Sequence, residues 1–392
     1  MLKFPDRFLL APMAGVADFP FRAICRSLGC RGAYTEMVSA KGLLYGSAGT
    51  AGLLRHEGGW LGVQLFGADE AAMARAAELV APLGFDVLDI NMGCPVHKVA
   101  GHGEGSALMR TPHLAARLVT EARASGLPVT VKIRLGWDEN HKNYIEFAQG
   151  CVAAGASAVA LHARTKSQGY AGKADWPAIA ALKKELDVPV LASGDIFAPH
   201  DALRALEQTN ADALLIARGA CGDPWFFAKA HALLAGRPLV ITRQQKAAAA
   251  MEHARQMLAY VRATSPAVMA QAGQTQAEQM QTQGISANLS TCGPEPKATS
   301  MPRVPSPLEP KATSMKGASP PMGSATASMQ GASPPIVTSS AEIERHAVAA
   351  MRKHVAWYVK ETRGAALVRG RVFEAQSLAQ LDEILREWAR DV

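Results

Sequence analysis

The chain has few of the features that mark a secreted, membrane or zinc-stapled protein. Its six cysteines (Cys25, Cys30, Cys94, Cys151, Cys221, Cys292) form no CxxC pair and no regular framework. That pattern argues for reduced thiols in a reducing compartment and gives no metal-ligand spacing, so no metal is expected. No apolar run reaches the roughly 18 residues that span a bilayer. The opening "MLKFPDRFLLAPMAG" enters a strand-like run at once, without a basic segment leading into a long apolar one. The expectation is a cytoplasmic, monomeric protein with no membrane contact. Neither sign of charge dominates: Lys and Arg number 41 against 34 Asp and Glu, a formal +7. This permits a polyanionic partner without establishing one. Charged residues are only 19% and hydrophobic ones 48%, enough for a large buried core.

One stretch lacks aromatics altogether. Residues 264–340 contain no Phe, Trp or Tyr but hold 11 of the 23 prolines. From residue 295 they fall into seven-residue units such as "EPKATSM" and "KGASPPM". Pro and Gly throughout rule out a coiled coil, and the composition reads as a disordered, low-complexity insert.

Elsewhere the pattern is regular. Between residues 1 and 235 eight short apolar runs alternate with amphipathic segments: 8–13, 33–38, 61–67, 87–93, 129–136, 158–164, 188–195 and 213–219. Apolar strands alternating with helices predict a parallel sheet with both faces covered, and eight units predict a (β/α)8 TIM barrel. Helical periodicity resumes at 236–263 and 341–392, which predicts a small all-helical C-terminal domain split by the insert.

Catalytic groups of such barrels stand at the C-terminal ends of the strands. Those ends read "APMAG", "TEM", "VQLFG", "NMGCP", "VKIRLG", "HAR", "ASGD" and "ARGACGDPW". Cys94 follows strand four at a Gly-Cys-Pro corner, where a thiol would be presented at the barrel mouth. Lys132 interrupts a buried strand and needs either an internal carboxylate or a ligand as partner. Gln64 and His162 interrupt apolar runs in the same way. The glycine-containing turns "SGD" and "ARGACGD", with Arg218, suit a phosphate. A phosphate at one rim with Lys, His and Gln directed inward suits a flat phosphorylated cofactor, either flavin mononucleotide or pyridoxal phosphate.

In order, "APMAGVADFPFR", "TEMVSAKGL", "VQLFG", "DINMGCPVHKV", "VKIRLGW", "HARTKSQGYAGKADW", "ASGDI" and "ARGACGDPW" resemble the motifs of the tRNA-dihydrouridine synthases, most like the bacterial DusB-type branch. The resemblance spans about 5–263 and 341–375. It implies an FMN enzyme that uses NADPH to reduce the C5–C6 double bond of particular uridines in tRNA. Cys94 would be the acid that protonates C5, carried on a mobile loop. Pro12, Met13, Ala14, Gln64, Lys132 and His162 would meet the flavin and its ribityl chain. Ser193, Gly194, Asp195, Ala217 and Arg218 would hold its phosphate end. Asn91 and Arg164 would contact the substrate base or its phosphate. Ser193 replaces a common asparagine, Ala217 a common glycine, and the insert interrupts the helical domain.

Between Arg345 and Arg371 seven Lys or Arg residues face one acid, Glu361. Arg352 and Lys353 are taken as tRNA contacts within this basic run, and Trp357 as a core residue. Two other readings stand beside this one. A small-molecule flavin oxidoreductase of the dihydroorotate dehydrogenase kind would not need the basic tail. An RNA-binding paralogue without catalysis would not need Cys94, Lys132 and His162.

Overall fold

Eight parallel strands close on themselves: β1 Phe8–Leu10, β2 Gly32–Ser39, β3 Trp60–Phe66, β4 Val87–Met92, β5 Val129–Arg134, β6 Ala158–His162, β7 Val190–Ser193 and β8 Ala213–Ile216. The barrel shuts where β1 pairs with β8, Phe8 opposite Leu214. The structure, a computed structural model, describes residues 2–46, 48–265 and 339–390. Each predicted apolar run overlaps one of the strands, and several runs continue past the strand into its C-terminal turn. This is the TIM barrel that the alternation predicts.

Helices follow the strands: α1 Phe19–Ser27, α2 Glu70–Val80, α3 Pro112–Ala122, α4 Tyr144–Ala153, α5 Trp176–Glu185, α6 Pro199–Thr209 and α7 Phe226–Leu234. Several begin as their sequence demands. Asp18, Asp69 and Asp175 each accept a hydrogen bond from a first-turn amide, and Pro stands in the first turn of α3, α5 and α6. Strand parity divides the core. Phe8, Leu10, Leu61, Val63, Leu65, Leu88 and Ile90 face the helices, while Leu9, Tyr34, Val87, Ala158, Leu191, Ala213 and Leu215 fill the lower barrel. Gly62 leaves room for Tyr34, whose ring would lie 2.5 Å from a Cβ placed there. Tyr34 stacks edge-on against Trp60 at 5.5 Å, closing the N-terminal end with aromatic carbon. The polar interior residues are thereby left for the other end.

Four more helices follow the barrel: α8 Arg243–Thr264, α9 Ser340–Tyr358, α10 Ala365–Glu374 and α11 Leu378–Arg390. They share a core of Met251, Ala254, Met257, Val348, Met351, Val355, Tyr358, Leu381, Leu385 and Trp388. Of the predicted 264–340 insert, only its first and last two residues are described; α8 runs to Thr264, and Ser339 caps α9 through the amide of Glu342. The remaining insert positions lie outside the described residues. Trp357 corrects an expectation. The buried stripe of α9 is Ala347, Val348, Met351, His354, Val355 and Tyr358, so Trp357 falls beside it, half-buried, and Tyr358 takes the core position.

The last turn of α9 rests on the turn after β8. Gly222 has φ +78, and a Cβ there would stand 2.3 Å from the Trp357 carbonyl oxygen. Gly222→Ala is therefore expected to cost about 2 kcal/mol or more, from left-handed backbone strain plus the clash. Thermal unfolding checks this, with a lowered Tm expected. An unchanged Tm would mean that this contact does not hold α9 to the barrel.

Candidate functional site

The interior polar residues rise in steps toward the C-terminal rim, because β3 to β6 present alternate residues inward. Register pairs Gln64 with Asp89, Asn91 with Lys132, and Arg134 with His162. Gln64 and Asp89 are almost fully buried. Gln64 Nε2 donates to Asp89 Oδ2 at 2.7 Å, and Thr130 Oγ1 donates to Asp89 Oδ1 at 2.6 Å. Asn91 Nδ2 donates to Gln64 Oε1 at 2.9 Å. The Asn91 Oδ1 atom in turn accepts from the amides of Gly93 at 3.2 Å and Cys94 at 2.9 Å.

Cys94 is half-buried just past β4. The backbone of this corner, expected on a mobile loop, is hydrogen-bonded on both sides of the thiol. Arg134 Nε donates to the Gly93 carbonyl at 2.7 Å, and the Cys94 carbonyl accepts from the Ser106 amide at 3.1 Å. With Asn91 on the Cys94 amide, the corner is held on both sides of the thiol. The other described cysteines, Cys25, Cys30, Cys151 and Cys221, lie away from this corner and form no disulfide. Among the described residues no cluster of His, Cys, Asp and Glu could hold a metal.

Lys132 stands beside this network. Its ammonium makes no hydrogen bond or ion pair among the described residues, and burial, then the Arg134 charge, lower its pKa from 10.5 to about 8; Asp89 opposes the shift. Burial raises the Asp89 carboxyl to about 6 against the pull of Gln64, Thr130 and Lys132. Burial and four neighbouring cations push His162 down to about 2, so its ring is neutral at physiological pH. Arg134 also donates to the carbonyls of Thr165 and Gly169, both at 2.9 Å.

Farther round the same rim, Ser193 ends β7 opposite His162 and is buried. Gly194 follows with φ +119, and a Cβ there would lie 2.9 Å from Ala174 Cβ and 3.1 Å from His162 Cδ2, so the backbone itself lines the site. The Asp195 carboxylate accepts from Arg164 Nη2 at 2.8 Å and from the Ala174 amide at 2.7 Å. It lies 3.6 Å from Arg218. Ala217 follows β8, and Arg218 opens a single 3-10 turn. The Arg218 guanidinium lies between the rings of Tyr170, at 4.9 Å, and Phe197, at 4.8 Å. On the β1 side, Pro12 and Met13 are half-buried and Ala14 is exposed; the Met13 carbonyl closes the turn through the amides of Val16 and Ala17.

Three predicted contacts are engaged with the protein's own carbonyl and carboxylate groups. Arg164 is 1% exposed, and its guanidinium serves the carbonyls of Ala171 and Gly172 as well as Asp195. It therefore orders a loop and a carboxylate and offers no face to solvent. Arg352 donates to the Ala375 carbonyl at 3.0 Å, tying α9 to the end of α10. Lys353 donates to the Gly15 carbonyl, and the Gly15 amide donates to the buried Glu36 carboxylate. The helical region is thus pinned to the loop carrying Met13 and Ala14.

Reading the sequence for site residues left out Asp89, Thr130, Arg134, Glu36 and Tyr170. Asp89 and Arg134 were signalled: each interrupts an apolar strand two positions from a chosen residue, and so shares its face.

The family model described as Dihydrouridine synthase (Dus) matches residues 9–289. The chain is similar to tRNA-dihydrouridine synthase B of Pseudomonas aeruginosa, with 44% identity over 57% of this chain and 68% of the relative. It is also 41% identical to tRNA-dihydrouridine synthase B of Xanthomonas axonopodis pv. citri, over 59% of this chain and 71% of the relative. The protein of the same name from Vibrio parahaemolyticus is 41% identical over 58% of this chain and 72% of the relative.

Proposed function

The chain belongs to the dihydrouridine synthase family, and from that premise we propose that it reduces the C5–C6 double bond of specific tRNA uridines, with FMN as resident cofactor and NADPH as reductant. One observation carries the reading: a backbone-anchored cysteine and a half-buried lysine, its ammonium without an internal partner among the described residues, share one barrel mouth. An unpaired buried ammonium is costly unless a ligand completes it, and the glycine turn at 194 with the half-exposed Arg218 suits the phosphate end of the same ligand.

Pro12, Met13, Ala14, Gln64, Lys132 and His162 would hold the ring and ribityl part of the cofactor. Ser193, Gly194, Ala217 and Arg218 would hold its phosphate, with Asp195 acting through the arginines that it pairs with, since a carboxylate repels phosphate. When bound, FMN supplies the hydride that C6 of uracil receives. The Cys94 S–H bond breaks as the C5–H bond forms, and solvent restores the thiol proton before the next turnover. Neutral His162 contributes as a hydrogen-bonding group and adds no charge. Asn91 supports the substrate from beside Cys94, and Arg164 shapes the site through Asp195 and the 171–172 loop. A base reaches this depth only when it leaves the tRNA stack. Arg345, Arg363 and Arg369 are exposed, make no ion pair among the described residues, and provide salt-sensitive phosphate contacts. Among the described residues no helix is long and apolar enough to cross a membrane.

The test is direct. Purified protein is expected to be yellow and, with NADPH, to form dihydrouridine in tRNA from a strain lacking these enzymes. A colourless protein would overturn the flavin assignment. A yellow protein that oxidises NADPH but leaves tRNA unchanged would instead support the small-molecule oxidoreductase.

A further inference from the structure

We propose that Asp89 is a positioning residue that fixes the Cys94 corner through Gln64 and Asn91. The argument is one of donor and acceptor order. An ionised carboxylate offers only acceptors, so Gln64 must turn its NH2 toward Asp89 and its oxygen away. That oxygen, Oε1, receives Asn91 Nδ2 at 2.9 Å. Asn91 must then present Oδ1 to the next members, and these are two amides, Gly93 N and Cys94 N, which can only donate. Both ends of the chain therefore demand the same polarity, and one arrangement of the two side-chain amides satisfies every partner. Thr130 completes the carboxylate by donating to its other oxygen at 2.6 Å. All four side chains are buried, where a lost partner leaves an unsatisfied polar group.

The groups facing Asp89 separate charge from orientation. Lys132 on the neighbouring strand is the cation that acts on it, and Gln64 and Thr130 are its hydrogen-bond partners. An asparagine at 89 can still accept from Gln64 with its oxygen while its NH2 donates to the Thr130 hydroxyl, whose proton can turn toward the Tyr34 oxygen. A leucine of similar size can do neither. Asp89→Leu therefore removes the anchor of the chain, whereas Asp89→Asn keeps it and removes only the charge.

This inference rests on the reading of Cys94 as the acid only for its effect on turnover; the first readout below is independent of that reading. Hydrogen exchange of the segment spanning Gly93 and Cys94 would be followed in wild type and both variants, with and without added FMN. Asp89→Leu is expected to speed exchange at these two amides by about tenfold or more, the size of one lost buried hydrogen bond, while Asp89→Asn stays within about threefold of wild type, a shift too small to reflect such a loss. In turnover the Leu variant is expected to lose kcat by a similar factor at an unchanged KM for tRNA, counted per bound flavin, and Asn to rescue most of it. A residue that merely filled space would lower Tm without this split. Unchanged exchange in the Leu variant overturns the proposal. Asn failing as badly as Leu overturns it too, since charge and not hydrogen-bond order would then be the cause. If wild type forms no dihydrouridine, the function proposed above fails, and the exchange result still decides the role of Asp89.

Discussion

Cys94→Ala is expected to give a folded, yellow protein whose dihydrouridine formation falls by about 10²- to 10⁴-fold, the usual size of a general-acid contribution. The fold should survive because nothing in the corner hangs on the sulfur. Asn91 holds the Cys94 amide, Arg134 the Gly93 carbonyl and Ser106 the Cys94 carbonyl. Cofactor binding should survive because Lys132, His162 and the 193–195 and 217–218 turns are untouched. NADPH oxidation with oxygen as acceptor should therefore run at the wild-type rate, and KM for tRNA should be unchanged. The defect is confined to the step that needs a proton at C5. Cys94→Ser should fall between the two, since a hydroxyl is a far weaker acid than a thiol. Full activity in the Ala variant would remove Cys94 from the mechanism. Loss of NADPH oxidation together with tRNA reduction would make the cysteine structural.

The barrel was legible because parallel strands covered on both faces are written as near-continuous apolar runs, so each polar interruption stands out. Cys94, Lys132, Gln64 and His162 were visible for that reason. Asp89 and Arg134 interrupt the same runs. Strand parity alone places Asp89 on the face of Asn91 and Arg134 on the face of Lys132, so the omission was one of reading. Other features could not be read from one chain. That Arg164 turns inward depends on where the carbonyls of Ala171 and Gly172 lie. Lys353 and Gly15 are 338 positions apart, and no local pattern links them. A basic run looks the same whether its members face solvent or cap a neighbouring carbonyl. Arg352 and Lys353 do the second, and Arg363, in the turn before α10, and Arg369, on α10, are left for the first. The anchoring of Cys94 was hidden likewise, because a Gly-Cys-Pro corner suggests mobility until its two distant partners, Ser106 and Arg134, are known.

Lys132→Met is expected to move stability and function in opposite directions. Methionine matches the lysine stem in length, so packing changes little and the charge is what is removed. In the folded protein the Lys132 pKa lies at about 8, below its ordinary 10.5. A base depressed in this way weakens the fold wherever it is protonated in both states, which is fully the case below about pH 8. As pH rises from about 8 toward 10.5, the native state has released the proton and the unfolded chain still holds it. Stability therefore rises across that window, and above it the penalty is gone. Removing the ammonium should thus stabilise the cofactor-free protein at pH 7 by on the order of 1–3 kcal/mol. The gain should shrink toward zero as the pH approaches 10.5. It is reduced by the loss that Asp89 suffers, since Lys132 is one of the groups holding that carboxylate ionised. Product formation should meanwhile drop by about 10²-fold or more, as for removal of one preorganised charge at a reacting centre. Such a pair of results would mean that the barrel carries an uncompensated charge for the sake of what binds above it. A cofactor-free Met variant that melts below wild type at pH 7 would show instead that the ammonium is satisfied within the protein, and Lys132 would then be a structural residue of the barrel.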